Sequence, residues 1–226
     1  MKKWMLFLLT VLLSTTLFFG CGPDETESSK ETEDTCTEYA FEDIQFAKPV
    51  IYLYPEEETE VSVRLDYKGT LTCTYPAYRD GWRVLASPDG VLTNLSDGRE
   101  YSYLYWEGDC DTEFDMSRGY CIKGEDTAAF LQDILAKMGL TAREYNEFIV
   151  YWLPLMQENP YNLITFQGKA YTDIAPLEIT PMPDSLLRVF MVYQPLETPV
   201  EVEAPEFAPF EREGFTVVEW GGAKVD

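Results

Sequence analysis

Hydrophobic and polar residues alternate with a period of two from Val61 onward, after an unbroken apolar run. Val50 to Tyr54 is a β-branched and aromatic run closed by Pro55, and Val61, Val63 and Leu65 alternate with Ser62, Arg64 and Asp66. Such alternation marks half-buried strands. Lys68-Gly69 is a turn signal, and Leu71, Cys73 and Tyr75 then alternate with threonines, so residues 61–75 predict a β-hairpin. The pattern continues through Trp82, Val84 and Ala86, the turn Pro88-Asp89-Gly90, Val91 to Leu95, the turn Ser96-Asp97-Gly98, and Arg99 to Glu107. Turns at this spacing predict an antiparallel meander or sandwich.

The period then changes. Phe130, Leu131, Ile134, Leu135 and Met138 recur at helical spacing and Gly139 supplies a stop, predicting a helix over 128–138. Thr141 with Glu144 fits a capping box that opens a second helix. The run from Glu147 to Leu153 suits either a buried strand or the end of that helix. Strands are expected at 162–167, 177–180, 186–193 and 215–220. The prolines among acids between Pro195 and Pro209 predict an extended segment wrapped over the surface. The fold class is therefore α+β, mainly antiparallel sheet and sandwich-like, with one clear helix and a possible second. One domain is expected over 40–222, with 223–226 as a tail.

The N-terminus reads differently. Lys2 and Lys3 precede an apolar run from Trp4 to Phe19, ending at Gly20-Cys21. A basic start, a short apolar stretch and a small residue make a secretory signal over 1–20. Leu17, Gly20 and Cys21 resemble the lipobox of bacterial lipoproteins, a likeness that implies a diacylglyceryl group on Cys21 and a body anchored to the cell membrane, facing outside the cytoplasm. An acidic, Ser/Thr-rich stretch over 21–39 follows and reads as a disordered tether. The segments KPVIYLYPE (48–56), YSYLYWEG (101–108), EYNEFIVYWLP (144–154) and GFTVVEWGG (214–222) resemble a group of uncharacterised bacterial secreted or lipid-anchored proteins. That likeness implies one unit ending near Gly222 and supplies no catalytic residues.

Composition narrows the chemistry. The chain of 226 residues is 46% hydrophobic and 15% aromatic, enough to build a core. With 17 basic and 40 acidic residues its formal charge is -23, which repels phosphate backbones and argues against nucleic acid as partner. Histidine is absent, which removes Ser-His-Asp and Cys-His catalysis and histidine-ligated metals. If Cys21 carries lipid, four cysteines remain, and the expected pairs are Cys110–Cys121 around an acidic loop and Cys36–Cys73.

Candidate sites follow from residue type and spacing. Asp109, Asp111, Glu113 and Asp115 alternate through that loop and could offer oxygens to calcium, although Arg118 could neutralise part of the cluster. Tyr101, Tyr103 and Tyr105 fall on one face of a predicted strand, suited to stacking on a sugar ring or peptide. Glu107, Glu147 and Glu219 each adjoin aromatics and are the candidates for carboxylate-based hydrolysis. The sequence favours a lipid-anchored binding or interaction module without catalysis, for a glycan or protein ligand. The alternatives are a polysaccharide hydrolase and a structural envelope protein, the latter with or without stabilising calcium.

Overall fold

The computed structural model describes residues 44–226. The predicted signal, Cys21, the tether and Cys36 lie outside the described residues. The first half of the described chain contains β1 (Ile44–Tyr54), β2 (Thr59–Leu65), β3 (Thr70–Tyr75), β4 (Trp82–Ala86), β5 (Leu92–Asn94), β6 (Glu100–Tyr101), β7 (Leu104–Cys110) and β8 (Tyr120–Lys123). A 3-10 turn leads into α1 (Thr127–Lys137) and α2 (Ala142–Met156), followed by β9 (Tyr161–Phe166), α3 (Lys169–Ile174), β10 (Leu177–Thr180), β11 (Ser185–Leu196) and β12 (Thr216–Lys224). No helix among the described residues is long and apolar enough to cross a membrane.

The strands form two sheets. A seven-stranded sheet has the order β3-β7-β1-β12-β11-β9-β8, and a five-stranded sheet the order β10-β2-β4-β5-β6. Every named pairing is antiparallel except β11 with β12. The large sheet is the middle layer. Its side chains alternate between two cores, as the pleat requires. Ile51, Leu53, Trp106, Phe190 and Val217 point toward the small sheet, where they meet Val61, Val63, Trp82 and Val84. Val50, Tyr52, Met191, Val218 and Trp220 point the other way, onto Leu131, Leu135, Phe148 and Trp152 of the helices. With both faces covered, β12 is buried at every residue except Lys224.

This layering corrects three expectations and decides a fourth that was open. The hairpin predicted over 61–75 does not form: β2 pairs with β4 and β10, while β3 is an edge strand on β7, in the other sheet. Local alternation is the same in either arrangement; which strand becomes the partner is decided by non-local packing. The stretch 147–153 is helix, and α2 runs through Pro154 to Met156. The tail expected at 223–226 instead begins inside β12: Ala223 is fully buried and the Val225 N–H donates to the Tyr193 carbonyl at 2.9 Å. Gly221-Gly222, read as the end of a strand, lie within it because neighbours approach too closely for a side chain. A Cβ on Gly222 would sit 2.4 Å from the Met191 carbonyl oxygen and 2.8 Å from the Trp152 ring.

The proline-rich segment after β11 is extended, as expected, and lies over the helical layer. Phe207 packs against the helix-side core and the Tyr120 hydroxyl donates to the Pro205 carbonyl at 3.3 Å. Arg212 ends the segment with an ion pair to buried Glu144 at 2.5 Å and a bond to the Gly139 carbonyl at 2.9 Å. Glu144 thus serves twice, since it also accepts from the Thr141 N–H at 2.7 Å to close the predicted capping box.

Candidate functional site

The most elaborate polar constellation begins with a defect in β1. Against β12 its register steps from Ala47↔Gly222 to Val50↔Trp220, one residue too many, so Lys48 and Pro49 form a bulge. Pro49 cannot donate to a ladder, and Lys48 adopts a left-handed φ of 59°. A non-glycine residue there stores strain of about 1–2 kcal/mol. Gly221 makes room opposite: a Cβ on it would lie 2.8 Å from Pro49 Cα.

The bulge turns Lys48 toward the helices. Its backbone N–H donates to Glu107 Oε1 at 3.1 Å, and its ammonium donates to the Tyr103 hydroxyl at 3.2 Å. The ammonium lies 4.8 Å from the Tyr103 ring centre, 5.3 Å from that of Tyr105 and 6.0 Å from that of Trp220. Three aromatic faces thus surround one cation. Below them, the Tyr52 hydroxyl donates to Glu147 Oε2 at 2.7 Å. Burial first, then Glu147, raises the pKa of Tyr52 above its ordinary value; burial first, then Glu107, does the same for Tyr105. Both hydroxyls therefore keep their protons.

Helix α2 supplies the facing wall. Phe148, Trp152 and Met156 recur every four residues and anchor one stripe in the core. The neighbouring stripe, Asn146, Glu147, Val150 and Tyr151, faces Lys48, Ser102 and Tyr103 across an open cleft of about 520 Å³. Val150 is 76% exposed there. The cleft offers carboxylate, amide, hydroxyl and ammonium groups beside aromatic and aliphatic surface. A separate depression of about 410 Å³ between α1 and the proline-rich segment is lined by Tyr120, Phe130, Ile134 and Phe207 together with Asp133 and Lys137.

The sequence-derived candidates scatter. Tyr103 and Tyr105 reach the Lys48 site; Tyr101 does not. The chain bends at Ser102-Tyr103 as it passes from the small sheet to the large one, which breaks the single row expected of the three tyrosines. Tyr101 instead meets Tyr75 edge-on at 5.0 Å and donates to Asp97 at 2.7 Å. That bond pushes Tyr101 up to about 12 and lowers Asp97. Glu107 and Glu147 both border Lys48. Glu219 does not: it is fully buried on the sheet-to-sheet side, paired with Arg188 at 2.5 Å and accepting from Trp106 Nε1 at 3.2 Å.

The acidic loop does not converge. Asp111, Glu113 and Asp115 are exposed, while Phe114 and Met116, which alternate with them, pack against the sheet-to-sheet core. Alternation in an extended chain sets successive acids roughly 7 Å apart along one edge. Asp109 lies within β7, and the Asp115 carboxylate accepts from the Ser117 N–H at 2.9 Å. Among the described residues no three His, Cys, Asp or Glu side chains are placed to hold a metal ion.

The Cys110–Cys121 pairing is also corrected. Cys110 lies on β7 and Cys121 on β8, with four strands between them in the sheet, roughly 24 Å at the usual strand spacing. Cys73 is an exposed thiol and Cys121 a half-buried one, neither in a disulfide; Cys36, the expected partner of Cys73, lies outside the described residues.

Lys48, Asn146, Val150 and Tyr151 were not among the sequence candidates. The available signal was Lys-Pro inside an otherwise unbroken strand pattern, together with a glycine pair in another strand, which is the signature of a bulge.

No family model and no solved structure matches the chain. Over 65 residues it is 51% identical to a protein of Butyrivibrio fibrisolvens described as an uncharacterized protein in the bglA 3' region. That similarity covers 27% of this chain and 66% of the other protein.

Proposed function

We propose that the protein is a lipid-anchored module on the outer side of a bacterial membrane that binds a glycan in the Lys48 cleft without transforming it. The observation that carries the reading is the bulge, which spends backbone strain to set a lysine among three aromatic rings at the floor of an open cleft. Tyr103 and Tyr151 offer faces to a sugar ring, and Glu147, Asn146 and Ser102 offer hydrogen-bonding partners to hydroxyls. The anchor rests on the Gly20-Cys21 junction.

Titration of the full-length protein in detergent with a panel of cell-wall and plant polysaccharides should give at least one saturable interaction, weakened at least tenfold by Tyr103→Ala and by Glu147→Gln. Silence across the panel, or binding indifferent to both substitutions, would refute the cleft. Mass spectrometry should find a diacylglyceryl adduct that disappears in Cys21→Ser.

The position of Glu107 and Glu147 on either side of Lys48 favours a second reading, carboxylate-based hydrolysis. It requires release of reducing sugar that stops in Glu107→Gln or Glu147→Gln.

A further inference from the structure

The Lys48 cleft continues past Tyr151. A second depression of about 720 Å³ opens between the last turns of α2 and the start of β1, and Tyr151 lines both. Lys48 borders the first and its chain neighbour Ala47 the second. From Asn146 to Leu155 the helix rises about 13 Å, so the two hollows form one trough beside it. The Tyr151 ring stands at their junction, half-buried and held edge-on against Trp152 at 5.0 Å and 82°.

The second hollow repeats the chemistry of the first. It sets aromatic Trp152 and Tyr193 beside polar Gln45, Thr112 and Glu113. Lys224 is paired with Asp226 at 2.8 Å, whereas the Lys48 ammonium bonds only the neutral Tyr103 hydroxyl and keeps its charge. Of the acids, Glu147 lies in the first hollow, where it pairs with Arg143 at 3.8 Å, and Glu113 in the second, on a chain of formal charge -23. The cations and acids along the trough offset one another, so an acidic polymer meets no excess of positive charge there and is opposed by the charge of the whole chain, while a compact solute would fill only one half of the trough.

Resting on the glycan reading above, we infer that the trough takes a linear, uncharged polysaccharide, with two or more linked sugars laid along α2 and Tyr151 as the platform between them.

Full-length protein in detergent would be titrated with length ladders of cellulose, xylan and mannan oligosaccharides, their monosaccharides, and oligogalacturonate. In at least one neutral ladder, affinity should rise tenfold or more from the monosaccharide to the tetrasaccharide. Glu113→Ala should remove most of that gain while leaving the shortest binder unchanged, and Tyr103→Ala should weaken every length. Equal affinity at all lengths, or a Glu113→Ala protein that keeps the full gain, would overturn the extended trough and leave the glycan reading standing. Tighter binding of oligogalacturonate than of any neutral ladder would overturn the uncharged ligand. No binding of any sugar would remove both readings.

Discussion

The two faces of the large sheet each carry a charge among aromatic rings, and they use it in opposite ways. Facing the small sheet, Glu219 and Arg188 sit opposite one another on paired strands; the guanidinium lies 4.7 Å from the Tyr171 ring centre, and Tyr171 stacks on Phe190 at 4.1 Å. Glu219 there is fully buried and the Arg188 side chain is 7% exposed. Burial opposes the Arg188 charge, but the adjoining carboxylate outweighs it and keeps the guanidinium protonated. Facing the helices, Lys48 also lies among aromatics, but at the floor of a cleft. The lesson is that an acid or base beside aromatics in the sequence says little about function until its strand's face, and the layer covering that face, are known. Glu219 and Glu147 read alike as residues; one is sealed in and the other lines an opening.

The sharpest way to break this contrast is Arg188→Met. It leaves Glu219 buried without its partner and should cost about 3–5 kcal/mol, read as a lower urea midpoint. Replacing Glu219 by Met as well should recover much of that loss. A single-variant cost below about 1 kcal/mol would mean the sealed face does not depend on the pair.

Alkali should strike both faces together. Burial raises Tyr171 on one face and Tyr52 and Tyr193 on the other, Tyr193 up to about 12. Between the ordinary tyrosine value of 10.0 and the raised one, the unfolded chain has lost protons that the folded chain keeps. Stability is therefore whole below that window and falls as pH rises through it, by up to about 1.4 kcal/mol per pH unit for each such tyrosine. Urea midpoints at about pH 8 and about pH 11 would show the drop, and equal midpoints would contradict it.

The smallest stability effect belongs to the cleft. Val150→Ser, at a residue 76% exposed, should change stability by no more than about 0.5 kcal/mol while weakening the bound glycan severalfold. A large loss of stability would mean that Val150 belongs to the core after all.

What was legible in the sequence was local. Phe130 to Met138 specify α1 by spacing alone, Thr141 and Glu144 specify the start of α2, and the Trp82–Leu95 hairpin forms where its turn residues place it. What was not legible depended on distant partners. Val61 to Leu65 alternate identically whether they pair with β3 or with β4. Cys110 and Cys121 are neighbours in sequence and far apart in the sheet. The cleft suffered most, because its walls come from residues near 48, 103 and 150, and the local clue was a proline in a strand.

β12 follows every other strand in the chain yet lies between β1, the first, and β11. A ribosome releases β1 long before the strand that joins it to β11, so β1 waits with a vacant edge while the helices and the whole small sheet are made. The seven-stranded layer cannot close progressively from one end. It must assemble around a late-arriving keystone, so the layer that separates the two cores is complete only once β12 has been made.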